Sequence, residues 1–181
     1  MKKIFTYLFA IALTSPVFAQ SYYSENGTAQ FTSSVPLHNF TGTSKSLVGM
    51  IKLDDMSVDF YIDLETLDTG NAKRDKDMLI TLETEKYPFG EFFGKITSEF
   101  DPSSSDEQAV TVEGNFTIHG QTKEVKIDGT ITVTEEGLLV KAAWILNLND
   151  YGIKPPKLLI IKVDEEQAVE IEVLLKAIGD E

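Results

Sequence analysis

The chain has 181 residues and a formal net charge of −13 at pH 7, with 42% hydrophobic and 25% charged residues. This length and composition suit one globular domain with a sizeable core, and the acidic balance opposes binding to nucleic acid or to anionic lipid headgroups. Because cysteine is absent, the sequence excludes disulfide bonds, a thiol nucleophile and the lipid-modified cysteine of a lipoprotein.

Residues 1–19 have the pattern of a secretory signal peptide. A basic start precedes an apolar run from Ile4 to Leu13, which is too short to span a bilayer as a stable helix. Pro16 ends that run, and Val17-Phe18-Ala19 matches a signal-peptidase site. We therefore expect cleavage after Ala19, no integral membrane span, and a periplasmic or secreted single domain at residues 20–181. An uncleaved N-terminal membrane anchor is the alternative.

From residue 28 onward, hydrophobic and polar residues alternate with a period of two, which is typical of strands with one buried face. In one clear example, Val58, Phe60 and Ile62 alternate with Asp59 and Tyr61. Eight segments share this alternation: 28–34, 41–53, 57–64, 92–100, 110–118, 125–133, 138–148 and 169–177. The sequence therefore predicts an all-β fold.

One segment departs from the alternation. The residues from Asn71 to Leu82 include helix formers and charges spaced for a solvated face, with no glycine or proline. They predict a short helix that starts after Thr69-Gly70 and ends before Tyr87-Pro88. A helix between two barrel strands is expected to cover or plug one end of the barrel.

Turn signals link the later strands. Pro102-Ser103, His119-Gly120 and Glu136-Gly137 are plausible hairpin turns, so the strands are expected to form an antiparallel meander. Eight such strands close into a barrel, which removes exposed edges. Glycines within the strands indicate bulges, bends or close backbone approach; they are Gly49, Gly94, Gly114 and Gly129.

The sequence carries no recognisable catalytic or metal site. Its two histidines, His38 and His119, are not flanked by ligands at metal-binding spacing, and no nucleophile elbow, dinucleotide fingerprint or P-loop is present. Paired carboxylates such as Asp54-Asp55 fall in apparent turns and are interpreted as surface charge. We expect no cofactor, no metal and no enzymatic activity. A hydrolase or isomerase with an inward-facing carboxylate is the alternative from the enzyme class.

The inward-facing residues of the predicted barrel are almost wholly apolar. An eight-stranded barrel is either filled by its own side chains or holds one small ligand, and composition alone does not choose between these alternatives. An unfilled lumen would be a dry slot for hydrocarbon, since burial gains about 0.8 kcal/mol per CH₂. The candidate lipid-binding residues are Phe60, Ile62, Phe92, Ile96, Phe116, Trp144 and Leu146; for each, a plain core role is the alternative.

Three ordered motifs in this sequence resemble those of the YceI-like family. The first combines Leu67-Asp68-Thr69-Gly70-Asn71, Arg74-Asp75 and Lys86-Tyr87-Pro88. The second is the hairpin from Gly114 to Lys123, and the third is Asn149-Asp150-Tyr151-Gly152-Ile153. The three motifs occur in order, and the resemblance covers essentially the whole of residues 20–181.

The resemblance implies an eight-stranded antiparallel lipocalin-like barrel, without catalytic residues, that binds a polyisoprenoid or similar amphipathic lipid in its lumen. We therefore expect a periplasmic carrier or sink for an isoprenoid-type lipid. An interaction module in envelope stress, with a filled barrel and a protein partner, is the alternative. Asp77 stands where the family often has histidine, and Arg74-Asp75 is favoured as a helix-stabilising pair over a headgroup contact. The apolar stretch from Leu158 to Val163 is a strand extension or a lip at the barrel mouth.

Overall fold

The computed structural model describes residues 20–35, 38–155, 157–158 and 161–178. Its strands are β1 (Ser21–Val35), β2 (His38–Lys52), β3 (Ser57–Asp63), β4 (Phe89–Ile96), β5 (Glu107–Ile118), β6 (Gln121–Thr134), β7 (Gly137–Asn147), β8 (Lys157–Leu158), β9 (Ile161–Lys162) and β10 (Glu166–Ala177). The expected signal peptide, residues 1–19, lies outside the described residues, so its cleavage stays a prediction.

Eight of these strands form a closed barrel in the order β1-β10-β7-β6-β5-β4-β3-β2. Every neighbouring pair is antiparallel, and β10 closes the barrel by pairing with both β1 and β7. Closure leaves no unpaired edge among the long strands. Buried and exposed residues alternate without exception along β4. The predicted eight-stranded antiparallel barrel is confirmed.

The predicted helix is confirmed as α1, Ala72–Leu82, between β3 and β4. Asn71 caps its N-terminus by accepting hydrogen bonds from the backbone N–H groups of Lys73 and Arg74, and Glu83 ends it in a left-handed conformation. No helix within the described ranges is both long and apolar enough to cross a membrane.

The hairpin turn at His119-Gly120 has positive φ at both residues, 54° and 68°, as the favoured two-residue hairpin turn requires. The next turn lies one residue earlier than predicted, at Glu135-Glu136, because Gly137 already pairs with Thr134 as the first residue of β7. Pro102-Ser103 forms a turn inside the longer connection between β4 and β5.

Close backbone approach at the strand glycines is seen most clearly where β4 meets β5. Gly94 pairs with Gly114 across the two strands, and a Cβ atom on either residue would fall against the backbone of the other strand. In the neighbouring pair of strands, the ring of Phe60 lies directly over Gly49. These glycines leave space that the facing strand or ring occupies.

The start of β1 was not predicted. The strand begins at Ser21 rather than near residue 28, and its register with β10 shifts between Tyr23 and Thr28. Such an irregularity breaks the period of two, so the alternation is recognisable only after it.

The two ends of the barrel differ. At the closed end, beside the turns 53–56 and 135–136, fully buried aliphatic side chains close the lumen. These are Ile51, Val58, Ile131, Leu138 and Leu175, each at most 2% exposed. The opposite end, called the mouth here, carries α1, two short 3-10 helices (Leu64–Thr66 and Leu148–Tyr151) and the β8–β9 hairpin.

Candidate functional site

A cavity of about 510 Å³, called the outer chamber here, opens at the mouth of the barrel. Its volume lies within the range of roughly 300–1,000 Å³ that is typical of small-molecule sites. Its walls are the apolar side chains that the strands and the 3-10 helices send inward at this end. They include Ala29, Phe31, Phe40, Ile62, Leu64, Phe116, Ile118, Leu146, Leu148, Ile153 and Val169.

Helix α1 covers the outer chamber with one of its faces. Arg74, Met78 and Leu82 all line the chamber, and their spacing of four residues places them one above the other on the helix. The role expected of the helix, covering one end of the barrel, is confirmed by this contact. Val163, the last residue of the predicted lip, also lines the chamber; residues 159–160 lie outside the described part of the chain.

A second cavity of about 120 Å³, called the inner chamber here, lies deeper in the barrel. It is lined by aromatic and aliphatic side chains, among them Phe60, Phe92, Ile96 and Trp144. The two chambers adjoin, because five residues line both: Ala29, Ile62, Gly90, Phe116 and Val169.

The structure brings all seven candidate residues to the same lumen. Phe60, Phe92, Ile96 and Trp144 line the inner chamber, Leu146 lines the outer chamber, and Ile62 and Phe116 line both. Their contact with a ligand stays a prediction.

Sequence reasoning missed several lining residues. Val169 heads an alternating segment that was recognised, so its parity could have indicated it. Met78 and Leu82 lie four residues apart in the predicted helix and could have indicated the covering face. Phe40 and Ile153 follow no period that would mark them.

Residual exposure shows where the lumen is hollow. Phe60, Phe92 and Leu146 are buried at 8–9% exposure, whereas the inward-facing Ile62, Phe116 and Trp144 are only half-buried. An inward side chain in a solid core would be fully buried, so this residual exposure faces the chambers. The barrel is therefore filled at its closed end and hollow toward its mouth, which weighs against the filled-barrel alternative.

An aromatic cluster connects the two chambers. The Phe116 ring makes edge contacts with Trp144 at 6.0 Å and with Tyr151 at 5.6 Å between centroids, an arrangement that aromatic rings favour. Tyr151 is buried, and this burial, together with the nearby Asp150, raises the pKa of its phenol. The phenol therefore stays neutral at physiological pH, as its burial in the hydrophobic core favours.

Two charged side chains at the rim of the outer chamber pair with each other, and a third is held by uncharged neighbours. Lys73 forms a salt bridge with Asp77 at 2.8 Å, so Asp77 serves here as a partner for lysine. The Arg74 guanidinium lies 4.4 Å above the ring centroid of Phe40, and its Nε donates a 3.0 Å hydrogen bond to Thr69 Oγ1. The rim is thus polar and carries the positive charge of Arg74, whose contacts include an aromatic ring and a hydroxyl group.

Arg74 and Asp75 organise the turn before α1. Asp75 Oδ1 accepts hydrogen bonds from the backbone N–H of Thr69 at 2.9 Å and from its hydroxyl at 2.5 Å. Arg74 binds the same threonine hydroxyl. These bonds favour the structural role that the sequence assigns to the pair, because both side chains hold Thr69 against the helix start.

His119, in the turn between β5 and β6, contacts three other segments at the mouth end of the barrel. Its Nδ1 lies 3.0 Å from the Tyr151 carbonyl oxygen, its Nε2 lies 3.5 Å from Glu83 Oε1, and its ring contacts Tyr87. This histidine positions the end of α1. The side chain of His38 lies outside the described part, and the described residues contain no cluster of three or more His, Cys, Asp or Glu that could hold a metal ion.

The sequence profile of the YceI-like domain matches residues 22–177, which is the whole barrel from β1 to β10. The chain belongs to the YceI-like family. The resemblance noted from the three sequence motifs is thereby confirmed.

Curated relatives of this YceI-like chain include UPF0312 proteins of pseudomonads. The protein of Pseudomonas putida strain W619 is 30% identical over 142 residues, which is 71% of this chain and 71% of the relative. The protein of Pseudomonas savastanoi pv. phaseolicola strain 1448A is 32% identical over 133 residues, which is 64% of each.

Solved structures share the fold of this YceI-like chain. A polyisoprenoid-binding domain from Saccharophagus degradans, implicated in plant cell wall breakdown, has a TM-score of 0.76 at 16% identity and covers 88% of this chain and 99% of its own. Burkholderia cenocepacia BcnA has a TM-score of 0.68 at 15% identity, covering 84% and 96%. A Campylobacter jejuni YCEI protein has a TM-score of 0.56 at 14% identity, covering 99% and 100%. At these identities the likeness establishes the barrel fold.

Proposed function

We propose that this YceI-like barrel binds an isoprenoid-type amphipathic lipid in its lumen and catalyses no reaction. The single observation that carries the proposal is the outer chamber of about 510 Å³, which is apolar and open at the mouth. A hydrocarbon chain that enters it leaves water at a gain of about 0.8 kcal/mol per CH₂. The polyisoprenoid-binding domain from Saccharophagus degradans, which shares the fold, supports an isoprenoid chain over other hydrocarbons.

The distribution of polar groups sets the orientation of the lipid. The chamber walls toward the inner chamber are hydrocarbon, while Gln30, Asn71, Lys73 and Arg74 lie among the residues that line the outer chamber. An amphipathic molecule therefore places its chain in the barrel and its polar end beside α1. Lys73 and Asp77 neutralise each other at the rim, so a headgroup there meets hydrogen-bonding groups and the positive charge of Arg74.

The role of the bound lipid follows from the expected export. The pattern of residues 1–19 supports secretion into the periplasm or beyond, and the acidic chain disfavours adsorption to anionic lipid headgroups. A water-filled compartment offers a free prenyl chain no apolar surroundings. The protein would supply them there as a carrier, store or scavenger.

Lipid extraction tests the proposal directly. The full-length chain is produced in an exporting bacterial host, purified from the periplasmic fraction, extracted with organic solvent and analysed by mass spectrometry. We expect a prenyl-chain lipid in a near-stoichiometric amount. A protein that carries no lipid after purification, and binds no prenyl alcohol when offered one, would refute the proposal.

A matched pair of variants separates the lumen from the surface. Leu146→Arg places a charge in the outer chamber. Ile145→Arg alters the preceding residue of β7, which is 60% exposed. Burying an unpaired charge is strongly unfavourable, so we expect the first variant to lose its lipid and the second to retain it. Far-UV circular dichroism establishes that each variant keeps the barrel.

A further inference from the structure

The two chambers of the lumen meet at a set of residues, called the neck here. Its members are the residues that line both cavities: Ala29, Ile62, Gly90, Phe116 and Val169. The hydrophobic core divides at the same level, because Ile62 and Phe116 are the described, partly buried side chains that pack against both of its clusters. Two separate features, cavity and core, thus place the neck at the same position.

Phe116 is the largest side chain of the neck. It pairs with Phe92 across β4 and β5, and its ring is held by edge contacts with Trp144 on the inner side and Tyr151 on the outer side. On the adjoining strand β4, two residues before Phe92, Gly90 leaves open space, because an added Cβ would meet its nearest neighbour, Ile62 Cγ2, only at 3.5 Å. The space at the neck therefore depends on the ring of Phe116 and on the missing side chain of Gly90 on the strand beside it.

We propose that Phe116, supported by Ile62, is the floor of the lipid site and sets the length of hydrocarbon chain that the barrel accepts. The inference rests on the proposed function, since it assumes that a chain enters through the mouth. The inner chamber has about 120 Å³ against about 510 Å³ for the outer one. A chain that continued into it would have to turn the Phe116 ring away from both aromatic partners for little added space.

The chamber beyond the neck is not a polar site for the other end of a ligand. Its lining is hydrocarbon apart from the strand residues Tyr61 and Lys141. Tyr61 is 40% exposed and makes an edge contact with Phe89, and Lys141 forms an ion pair with Glu172 on the outer surface. A small apolar cavity of this kind stays dry. It is therefore spare volume that becomes available to a chain only when the neck is widened.

The test uses prenyl alcohols of two, three, four and five isoprene units, added to delipidated protein. Trp144 is the single tryptophan of the chain and lines the inner chamber, so its fluorescence reports events at the neck, and calorimetry gives the affinities. In the unmodified protein, affinity should rise with each unit until the outer chamber is full and then stop rising. In Phe116→Ala the next longer alcohol should gain about tenfold over the unmodified protein, because more CH₂ groups are buried.

A second substitution gives the control. Gly90→Val adds a side chain to the strand beside residue 116 and fills open space at the neck, so in the Phe116→Ala background it should return the length limit to that of the unmodified protein. If circular dichroism shows that Phe116→Ala has lost the barrel, Phe116→Leu replaces it, because leucine keeps an aliphatic group in the core. Phe116→Leu should gain affinity for the longer alcohol in the same direction, but by a smaller factor.

The outcomes separate the inference from the function on which it rests. Binding of the prenyl alcohols with one and the same length profile in the unmodified protein and in a folded Phe116 variant overturns the floor role of Phe116 and leaves lipid binding intact. Failure of every alcohol to bind the unmodified protein overturns both. A longer limit in the variant, reversed by Gly90→Val, supports the inference.

Discussion

Two glycines in strand β4 show how the space around single residues shapes the barrel. Gly90 and Gly94 lie four residues apart and are both buried. A Cβ at Gly94 would overlap the backbone of β5, whereas a Cβ at Gly90 would make only ordinary contacts. The sequence predicts close approach at Gly94 but does not mark Gly90, because Gly90 precedes the recognised alternating segment 92–100.

We expect Gly94→Ala to lower the free energy of unfolding by about 1–3 kcal/mol, since the methyl group must push two paired strands apart. Gly90→Ala is the matched control. It should be neutral or raise the free energy of unfolding by up to about 1 kcal/mol, because alanine restricts the unfolded chain without strain in the barrel. Urea unfolding followed by circular dichroism measures both; equal losses in the two variants would contradict this account.

Helix α1 is positioned by its flanking turn rather than by a deeply buried face of its own. Only Leu82 is buried within the helix, and the turn is held by the hydrogen bonds of Thr69 with Arg74 and Asp75. The motif that carries the family resemblance thus forms the hydrogen-bonded turn that holds α1 over the outer chamber. The helix itself was predictable from its composition, but the role of this turn was visible only as a similarity between sequences.

Thr69→Val should loosen the cover while leaving the barrel folded. Valine keeps the shape of threonine but removes the hydroxyl that accepts from Arg74 and donates to Asp75, so each loses a hydrogen-bond partner. We expect the amides of α1 to exchange with deuterium about tenfold faster, while those of β5 and β6 do not change.

Thr122→Val is the control for this prediction, because its exposed hydroxyl bonds only with Thr117 on the outer surface. Hydrogen–deuterium exchange with mass spectrometry resolves the two regions. Unchanged exchange of α1 in Thr69→Val would show that the hydroxyl does not hold the helix.

In the whole molecule, the closed end of the barrel contributes most to stability, and the mouth provides the proposed binding site. The closed end is packed solid, with Leu138 and Leu175 fully buried, whereas the mouth has half-buried walls around a cavity. A packed core loses stability when side chains are shortened. A cavity wall has fewer contacts to lose, but each of its groups faces the proposed ligand.

Leu138→Ala should therefore mainly lower stability, and Leu148→Ala should mainly weaken ligand binding. The first removes a fully buried side chain and should lower the free energy of unfolding by about 2–5 kcal/mol, with prenyl alcohol affinity unchanged in the folded fraction. The second alters a wall of the outer chamber; it should cost about 1 kcal/mol of stability and weaken prenyl alcohol binding several-fold. Urea unfolding and calorimetric titration measure the pair, and an equal loss of affinity in both would contradict the division.

The sequence alone determined the eight strands, the helix and the family, because a period of two and a run of helix formers are local signals that survive without neighbours. It also placed the seven candidate residues on inward faces, since parity along a strand decides the face. Only the tertiary structure decided that one end is solid and the other hollow, and that Ile62 and Phe116 lie between two chambers. A cavity is the volume that residues far apart in the chain leave unfilled. Its position follows from how their sizes add up around the closed barrel, and no local pattern records that sum.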